Sequence, residues 1–265
     1  MGQHAHTSDE AGGETTSNRG SELARLSRTI SRKIDRSIFS YRLIEPGDRV
    51  LVAVSGGKDS LTLLRQLALK VGKFSIPFEL AAVHVHTELS PDWIPERLEA
   101  IAAEWGVPFR TVPLNLQERV REGQTLNCWW CSTQRRTELI QVAQEYDFNK
   151  IALGHHLDDI LETFFMNLTH KGELSTMLPK MTYDRYEQTI IRPLAWVRET
   201  EIEEFVRLMG LDSITCVCGY DATSKRKRVR EIIEQIVEME GSGARERMMD
   251  ALHNPRLRYL IERED

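Results

Sequence analysis

The sequence lacks any apolar run long enough to cross a membrane, since no stretch approaches the roughly 20 consecutive apolar residues that a spanning helix needs. The first 20 residues also lack the apolar segment of a secretory signal. The hydrophobic content, 41% of 265 residues, is ordinary for a globular protein with a sizeable core. We therefore expect a cytoplasmic protein.

Cysteine is scarce, and four cysteines in a reducing compartment argue against a disulfide framework. Cys128 and Cys131 form a C-x2-C pair, and Cys216 and Cys218 follow in the segment TCVCGY. Two pairs suggest a metal site. The spacing leaves open an iron–sulfur cluster, a zinc ion, or free or redox-active thiols.

An overall positive charge is also missing, because the net charge is −5. The cations are nevertheless grouped in the segment 21–45 and in the run KRKRVR at 225–230. Such patches suit a polyanionic partner, although they also occur as solvated faces of ordinary surface helices.

The hydrophobic pattern divides the chain into four parts. Residues 1–20 are polar and without periodicity, which predicts a disordered tail. Within 21–45, apolar residues recur at threes and fours and predict a basic N-terminal helical arm. The main domain is expected over 46–235, and a C-terminal helical tail over 236–265.

Apolar runs alternate with helical patterns through the main domain. Strands are predicted over 49–54, 78–85, 109–114, 150–153 and 189–192. Helices are predicted over 59–71, 94–105, 132–146, 158–168 and 199–209. This alternation predicts an α/β fold with a parallel sheet and helices on both faces. Ligands in such folds bind beyond the carboxyl ends of the strands, here after Val54, Val85 and Leu153.

The segment SGGKDS, residues 55–60, lies between the first predicted strand and its helix. Gly56 and Gly57 let the backbone approach an anion, and the start of the helix offers unpaired N–H groups. Asp59 at this position suits Mg²⁺ that bridges to phosphates. The loop matches neither the Walker nor the dinucleotide pattern, and a glycine turn without a ligand is the alternative.

A second segment, KIALGHHLDDILETFF at 150–165, repeats the order of strand, glycine, polar loop and helix. Asp158 and Asp159 share a helical face with Glu162, which suits a metal-binding or positioning role. Carboxylates in a first turn are also ordinary partners of the helix dipole. We expect His155 and His156 to contact phosphate or to transfer protons.

Two histidines alternate with other residues on the second predicted strand. Of His84 and His86, we expect one to face the core and the other to face a ligand.

SGGKDS after an apolar strand resembles the PP-loop of the ATP pyrophosphatases, and GHHLDDILET resembles the second motif of that family. The resemblance implies an adenine nucleotide alpha hydrolase-like fold and cleavage of ATP between its α and β phosphates. It implies catalytic roles for Lys58, Asp59, His155 and Asp159, with Mg²⁺ near Asp59 and Asp159. The implied ATP-binding residues are Ser55, Gly56, Gly57, Lys58, Asp59, Ser60, His84 and Gly154.

The cysteines narrow the resemblance to the cluster-dependent tRNA thiolases, and the chain is similar to the tRNA 2-thiocytidine synthetase group in particular. This implies a [4Fe-4S] cluster on Cys128, Cys131 and Cys218, with one iron open to sulfide. The distal motif of the family, C-x-x-C-G, aligns its second cysteine with Cys218 and leaves Cys216 spare. The implied reaction is ATP-dependent adenylation of C2 of a tRNA pyrimidine, cytidine 32 before others, and replacement of its oxygen by sulfur.

The same resemblance implies tRNA as a partner, a homodimer, and a cysteine desulfurase or inorganic sulfide as sulfur donor. Trp129 or Trp130 is expected either to stack on the target base or to cover the metal site. The expected tRNA-binding residues are Arg32, Lys33, Arg135, Arg136, Lys225 and Arg226.

Two other functions stay open at this point. One is a different PP-loop enzyme, such as a tRNA thiouridine synthetase, a lysidine-type ligase or an amide-forming synthetase. The other is a nucleotide-binding or redox-sensing module without turnover.

Overall fold

The computed structural model describes residues 10–120, 127–211 and 223–260. Its strands are β1 (Asp48–Ala53), β2 (Phe78–Thr87), β3 (Phe109–Leu114), β4 (Lys150–Ala152), β5 (Lys180–Tyr183) and β6 (Tyr186–Ile191). Its α-helices are α1 (Glu10–Tyr41), α2 (Lys58–Ala68), α3 (Ile94–Glu104), α4 (Cys128–Glu145), α5 (Leu157–Met166), α6 (Glu199–Met209), α7 (Thr223–Glu240) and α8 (Ala244–His253). None of these helices is long and apolar enough to span a bilayer.

The six strands form one sheet in the order β3-β2-β1-β4-β6-β5. All neighbouring strands are parallel except β5, which pairs antiparallel with β6 at one edge. The chain moves outward from β1 to β2 and β3, and then returns to β4 on the other side of β1. This reversal leaves a crevice at the carboxyl ends of β1 and β4, where ligands of open α/β sheets bind.

Helices cover both faces of the sheet, as the sequence predicts. Val50 and Val52 of β1 join a buried core with residues of α1, α2, α3 and α6. Leu51, which lies between them, belongs to a second core with residues of α4. Because successive side chains of a strand point to opposite faces, these two cores lie on opposite sides of the sheet.

Helix α1 is part of the folded domain. Ile30, Ile34 and Ile38 are fully buried in the core shared with β1. The helix begins at Glu10, inside the range that we predicted to be a disordered tail. Arg19, which lies inside that range, contacts α6. Its guanidinium donates to the carbonyls of Leu208 (3.0 Å) and Arg207 (3.1 Å) at the end of α6.

Two elements differ from the sequence prediction near the site. Strand β5 was missed, because it is a short edge strand that only its hairpin with β6 stabilises. Helix α4 begins at Cys128 rather than at 132, so the C-x2-C pair forms its first turn. The residue that marks this helix start in the sequence is Asn127, whose side chain caps the helix by accepting from the Trp130 N–H at 2.9 Å.

The C-terminal helices α7 and α8 pack against α5 instead of extending away from the domain. Val229 and Ile233 of α7 are buried in a third core with Leu157 and Leu161 of α5. Their spacing of four residues is a helical signal inside a strongly charged segment.

Candidate active site

A cleft of about 380 Å³ opens at the crevice between β1 and β4. Residues that follow β1, residues that follow β4, and one face of α4 line it. Its polar wall consists of Ser55, Asp59, Ser60, Ser132, Arg135, Arg136, Gly154, His155 and Asp159. The fold therefore brings both sequence motifs and the helix that begins with the C-x2-C pair to one cavity.

The loop after β1 has the geometry of an anion-binding turn. Gly56 has φ of +89°, a left-handed conformation that glycine adopts without strain. The Ser60 hydroxyl donates to the Gly57 carbonyl at 3.0 Å, and the Gly57 N–H donates to the Ser55 hydroxyl at 3.3 Å. In the part of the chain that the structure describes, no side chain caps α2, so the first N–H groups of the helix are available to an anion.

Asp59 and Asp159 converge on the ring of His156. The Nε2 atom of His156 lies 3.8 Å from Asp59 Oδ1 and 3.4 Å from Asp159 Oδ2. Within the described residues, Asp59 Oδ1 is buried without a hydrogen-bond partner. Burial raises the pKa of Asp59, and the nearby His156 and Lys58 offset this only in part. A desolvated carboxylate oxygen without a partner is a suitable ligand for Mg²⁺, so the pair fits that ion.

The two carboxylates have opposite pKa shifts. Burial also acts to raise the pKa of Asp159, but His156, His155 and the His156 backbone N–H hold it below the ordinary value. That N–H donates to Asp159 Oδ2 at 3.1 Å, so the carboxylate caps the start of α5. Asp159 is therefore a fixed anion, while Asp59 still requires a cation.

His155 is a neutral hydrogen-bond donor in this setting. Burial and the neighbouring Arg192 lower its pKa to about 4. Arg192 Nε donates to His155 Nδ1 at 3.3 Å, and a guanidinium N–H can only donate. The ring proton must then be on Nε2, which suits a contact with a phosphate oxygen. The lowered pKa disfavours the proton-transfer alternative near neutral pH.

Lys58 is turned away from the cleft and does not line it, although the sequence predicts it at the phosphates. Its Nζ donates to Glu199 Oε1 at 2.8 Å, at the start of α6. Glu203 and Asp59 lie farther from the ammonium, at 3.8 and 3.9 Å. Lys58 thus has a carboxylate partner at the start of α6.

The two strand histidines lie on the same side of the sheet, and a ligand contact by either of them stays a prediction. Residues two apart on a strand share a face, and the rings of His84 and His86 lie together with centroids 5.7 Å apart. His84 is buried outside the cleft wall, and its Nδ1 donates to the Val54 carbonyl at 2.8 Å. Burial lowers its pKa. Its visible contact supports the end of β1 rather than a ligand.

The described part of the cysteine site is compatible with thiolate ligands. Cys128 and Cys131 belong to the first turn of α4, where spacing of three residues shares a face and the helix dipole favours thiolates. Cys216 and Cys218 lie outside the described residues. Among the residues that are described, no three His, Cys, Asp or Glu side chains form a metal-binding group.

The adjacent tryptophans have different environments. Trp130 is 6% exposed and belongs to the core between α4 and the sheet. Trp129 is 75% exposed. Of the two, Trp129 alone has a ring surface open to a base.

The six basic residues that were expected to bind tRNA have three kinds of environment. Arg135 and Arg136 line the cleft. Lys33 and Arg226 form ion pairs within the chain, Lys33 with Glu201 at 2.6 Å and Arg226 with buried Glu162 at 3.2 Å. Arg32 and Lys225 are exposed.

Sequence reasoning missed three residues that surround the site. Arg192 follows β6, Glu199 begins α6, and Arg230 lies in the basic run of α7. The run was interpreted as a surface for a polyanion or as a solvated helix face. Its internal partners become visible only when α7 packs on α5.

The chain is similar to known proteins along most of its length. The PP-loop domain family matches residues 26–236. The tRNA-cytidine(32) 2-sulfurtransferase of Xanthomonas axonopodis pv. citri is 37% identical over 247 residues, which cover 91% of this chain and 80% of the relative. The enzyme of the same name from Syntrophotalea carbinolica is 36% identical over 244 residues, with coverage of 90% and 93%.

Among solved structures, the U34-tRNA thiolase NcsA from Methanococcus maripaludis, with its [4Fe-4S] cluster, superposes with a TM-score of 0.71. The match covers 91% of this chain and 82% of that one at 22% identity, and it shows a shared fold. The predicted fold class and family are confirmed: the chain belongs to the PP-loop family, in the group of the tRNA-cytidine(32) 2-sulfurtransferases.

Proposed function

We propose that this protein is an ATP-dependent tRNA sulfurtransferase, which adenylates C2 of cytidine 32 and replaces its oxygen by sulfur. The observation that carries the proposal is the single cleft that joins the PP-loop, two acidic groups and the C-x2-C helix. The reaction is that of relatives at 36–37% identity along most of the chain.

ATP binds with its phosphates at the start of α2. Backbone N–H groups of residues 55–60 and the hydroxyls of Ser55 and Ser60 contact the phosphates. Asp59 and Asp159 would hold Mg²⁺, which would supply positive charge to neutralise the leaving pyrophosphate. His155 donates from Nε2 to a phosphate oxygen.

In the first step, O2 of the cytosine attacks the α phosphorus, and pyrophosphate leaves. Adenylation converts the C2 oxygen into a good leaving group. In the second step, sulfide attacks C2, and AMP departs with the original oxygen. Arg135 and Arg136 on the cleft wall stabilise the negative charge of the adenylate.

Cys128, Cys131 and Cys218 are the proposed ligands of the [4Fe-4S] cluster. These residues would hold the cluster, which would then supply an iron open to sulfide. The chain presents the first two ligands from one turn of α4, one turn before Arg135. This proximity is what a transfer to the adenylated base requires.

The substrate tRNA contacts exposed cations, including Arg32 and Lys225, and the ring of Trp129 stacks on a base near the cleft. The sulfur donor is a cysteine desulfurase or inorganic sulfide. The protein works as a homodimer in the cytoplasm.

The test is thiolation of tRNA by protein purified without oxygen, with ATP, Mg²⁺ and sulfide, and with mass spectrometry of the digested nucleosides. We expect 2-thiocytidine, one AMP and one pyrophosphate per event, and no product from tRNA with uridine at position 32. The matched variants are Cys131→Ala, which should abolish thiolation, and Thr133→Ala, which should retain it because Thr133 lies outside the cleft wall. Pyrophosphate release without thionucleoside in every tRNA tested would contradict a sulfurtransferase and favour a ligase.

A further inference from the structure

An ion-pair chain connects the PP-loop lysine to the C-terminal basic helix. Lys58 Nζ donates to Glu199 Oε1 at 2.8 Å. The other oxygen of Glu199 lies 3.3 Å from Arg230 Nη1 on α7. Arg230 Nε also donates at 2.7 Å to Glu162, which is 1% exposed and lies one turn after Asp159. This series of ion pairs thus links the PP-loop to α7, which lies far along the sequence.

A contact between Lys58 and a phosphate in the cleft would require Lys58 to leave Glu199. It lies outside the cleft wall, while its neighbours Asp59 and Ser60 line it. If the ammonium moves to a phosphate, Glu199 loses its hydrogen-bonded cation. Glu199 is mostly buried, and a buried carboxylate without a partner is costly.

Arg230 is positioned to compensate for that loss. It is the other cation that contacts Glu199 among the described residues, and it approaches the oxygen that Lys58 does not use. The Glu199 backbone N–H, which donates to Asp158 Oδ2 at 2.7 Å, fixes the start of α6 next to both cations.

We infer that Arg230 and Glu199 are positioning residues for the ATP site: Glu199 holds Lys58 aside in the free enzyme, and Arg230 neutralises Glu199 when Lys58 transfers to a phosphate. The basic run of α7 therefore has an inward function in nucleotide binding besides any contact with tRNA. This inference rests on the proposed binding of ATP at the PP-loop.

The inference predicts opposite effects of the two residues on ATP affinity. Arg230→Gln leaves Glu199 with Lys58 as its cation, so Lys58 is released less readily and ATP should bind roughly tenfold more weakly. Glu199→Gln removes the carboxylate that competes for Lys58, so ATP should bind at least as tightly as in the wild type. The double variant Glu199→Gln/Arg230→Gln should regain the affinity of Glu199→Gln, because no charge then needs compensation.

The measurement is calorimetric titration of the full-length protein with ATP and Mg²⁺ in the absence of tRNA. Thermal unfolding of each variant is recorded beside it, and Arg230→Lys should restore most of the affinity. Arg207→Gln is the control, because Arg207 pairs with Glu204 on the exposed face of α6. The contact between Arg230 and Glu162 is lost equally in the single and double variants, so rescue reports on Glu199.

Unchanged affinity in Arg230→Gln, a double variant as weak as Arg230→Gln, or weaker binding in Glu199→Gln would each overturn the inference while wild-type ATP binding still stands. Absence of ATP binding by the wild type would overturn the proposed function, and this inference with it.

Discussion

Gly154 lies so close to the start of α2 that a β-carbon at this position would be 3.0 Å from the backbone nitrogen of Ser60. The contact joins the loop after β4 to the PP-loop helix across the crevice. It explains why a glycine is present between β4 and the two histidines, since the nearest atoms are backbone atoms that cannot rotate away.

Replacing Gly154 with alanine should push the two loops apart. We expect Gly154→Ala to lower the free energy of unfolding by about 1–3 kcal/mol, as overpacking does, and to weaken ATP binding. Thermal unfolding and ATP titration measure the two effects. Gly20→Ala is the control, because Gly20 is helical with open space around it and should be neutral or slightly stabilising. Equal behaviour of the two variants would contradict the close contact.

The charge of Asp59 should lower the stability of the folded protein while it supports ATP cleavage. Its pKa in the folded protein is raised above the ordinary value by burial, so the folded state binds its proton more tightly than the unfolded state does. Its charge therefore costs stability as the pH rises above the ordinary pKa of an aspartate. Asp59→Asn should unfold at a higher temperature than the wild type at neutral pH without Mg²⁺, while pyrophosphate release falls more than about tenfold.

Asp184→Asn controls for a general effect of charge, because Asp184 is exposed in the turn between β5 and β6. The stability difference between Asp59→Asn and the wild type should shrink in acid. A less stable Asp59→Asn at neutral pH would refute the assignment of Asp59 as an uncompensated carboxylate.

His155 should act without changing its protonation state. Its pKa of about 4 keeps it neutral throughout the neutral range, and Arg192 fixes its proton on Nε2. His155→Gln keeps an N–H donor and should retain much more activity than His155→Ala. The pH profile of turnover between pH 6 and 9 should have the same shape in His155→Gln and the wild type. A lost ionisation in the Gln variant would instead identify His155 as a proton-transfer group.

The same shift has a consequence for acid stability. Because the folded pKa lies below the unfolded value of 6.5, the unfolded state binds more protons between about pH 6.5 and 4. Folded protein therefore loses stability from this group as the pH falls through that window. His155→Gln should be less acid-sensitive there, as denaturant titrations at several pH values would measure.

The sequence predicted those features of the fold that depend on residues close together in the chain. Strand runs such as that of β1, the helix of Ile30 and Ile34, and the loop Ser55–Gly56 all depend on neighbours in the chain, so periodicity and glycine content predict them. The parallel sheet then fixes the shared cleft of Asp59 and Asp159, because both follow adjacent strands.

Long-range partners were beyond the sequence. The basic run suggested only an outward surface, but Arg226 and Arg230 contact Glu162 because α7 folds back onto α5. Lys58 was expected at the phosphates, and nothing local indicates that Glu199 binds it. Tertiary packing decides these charge pairs, and helix periodicity does not encode them.

Substitution of the two tryptophans in the C-x2-C segment should have different effects, with Trp130 affecting stability and Trp129 affecting tRNA binding. Trp130 fills the core beneath α4, so Trp130→Ala should cost about 3–5 kcal/mol of unfolding free energy. Trp129→Ala should change stability by less than about 0.5 kcal/mol because the ring is exposed. Loss of base stacking should weaken tRNA binding by roughly 1–3 kcal/mol, with rescue by Trp129→Phe. Equal tRNA affinity of Trp129→Ala and the wild type, in a filter-binding assay, would remove Trp129 from the interface.

Arg32 and Lys33 are neighbours on α1 but should have different effects when altered. Lys33 Nζ binds Glu201 Oε2 at 2.6 Å and holds α1 against the start of α6, so Lys33→Gln should cost about 1 kcal/mol of stability and leave tRNA affinity unchanged. Arg32 is exposed, so Arg32→Gln should leave stability unchanged and weaken tRNA binding more at low salt than at high salt. If Arg32 neutralises one phosphate, the slope of log affinity against log salt should decrease by about one. The reverse pattern, with tRNA affinity sensitive to Lys33 and insensitive to Arg32, would show that the ion pair with Glu201 opens when tRNA binds.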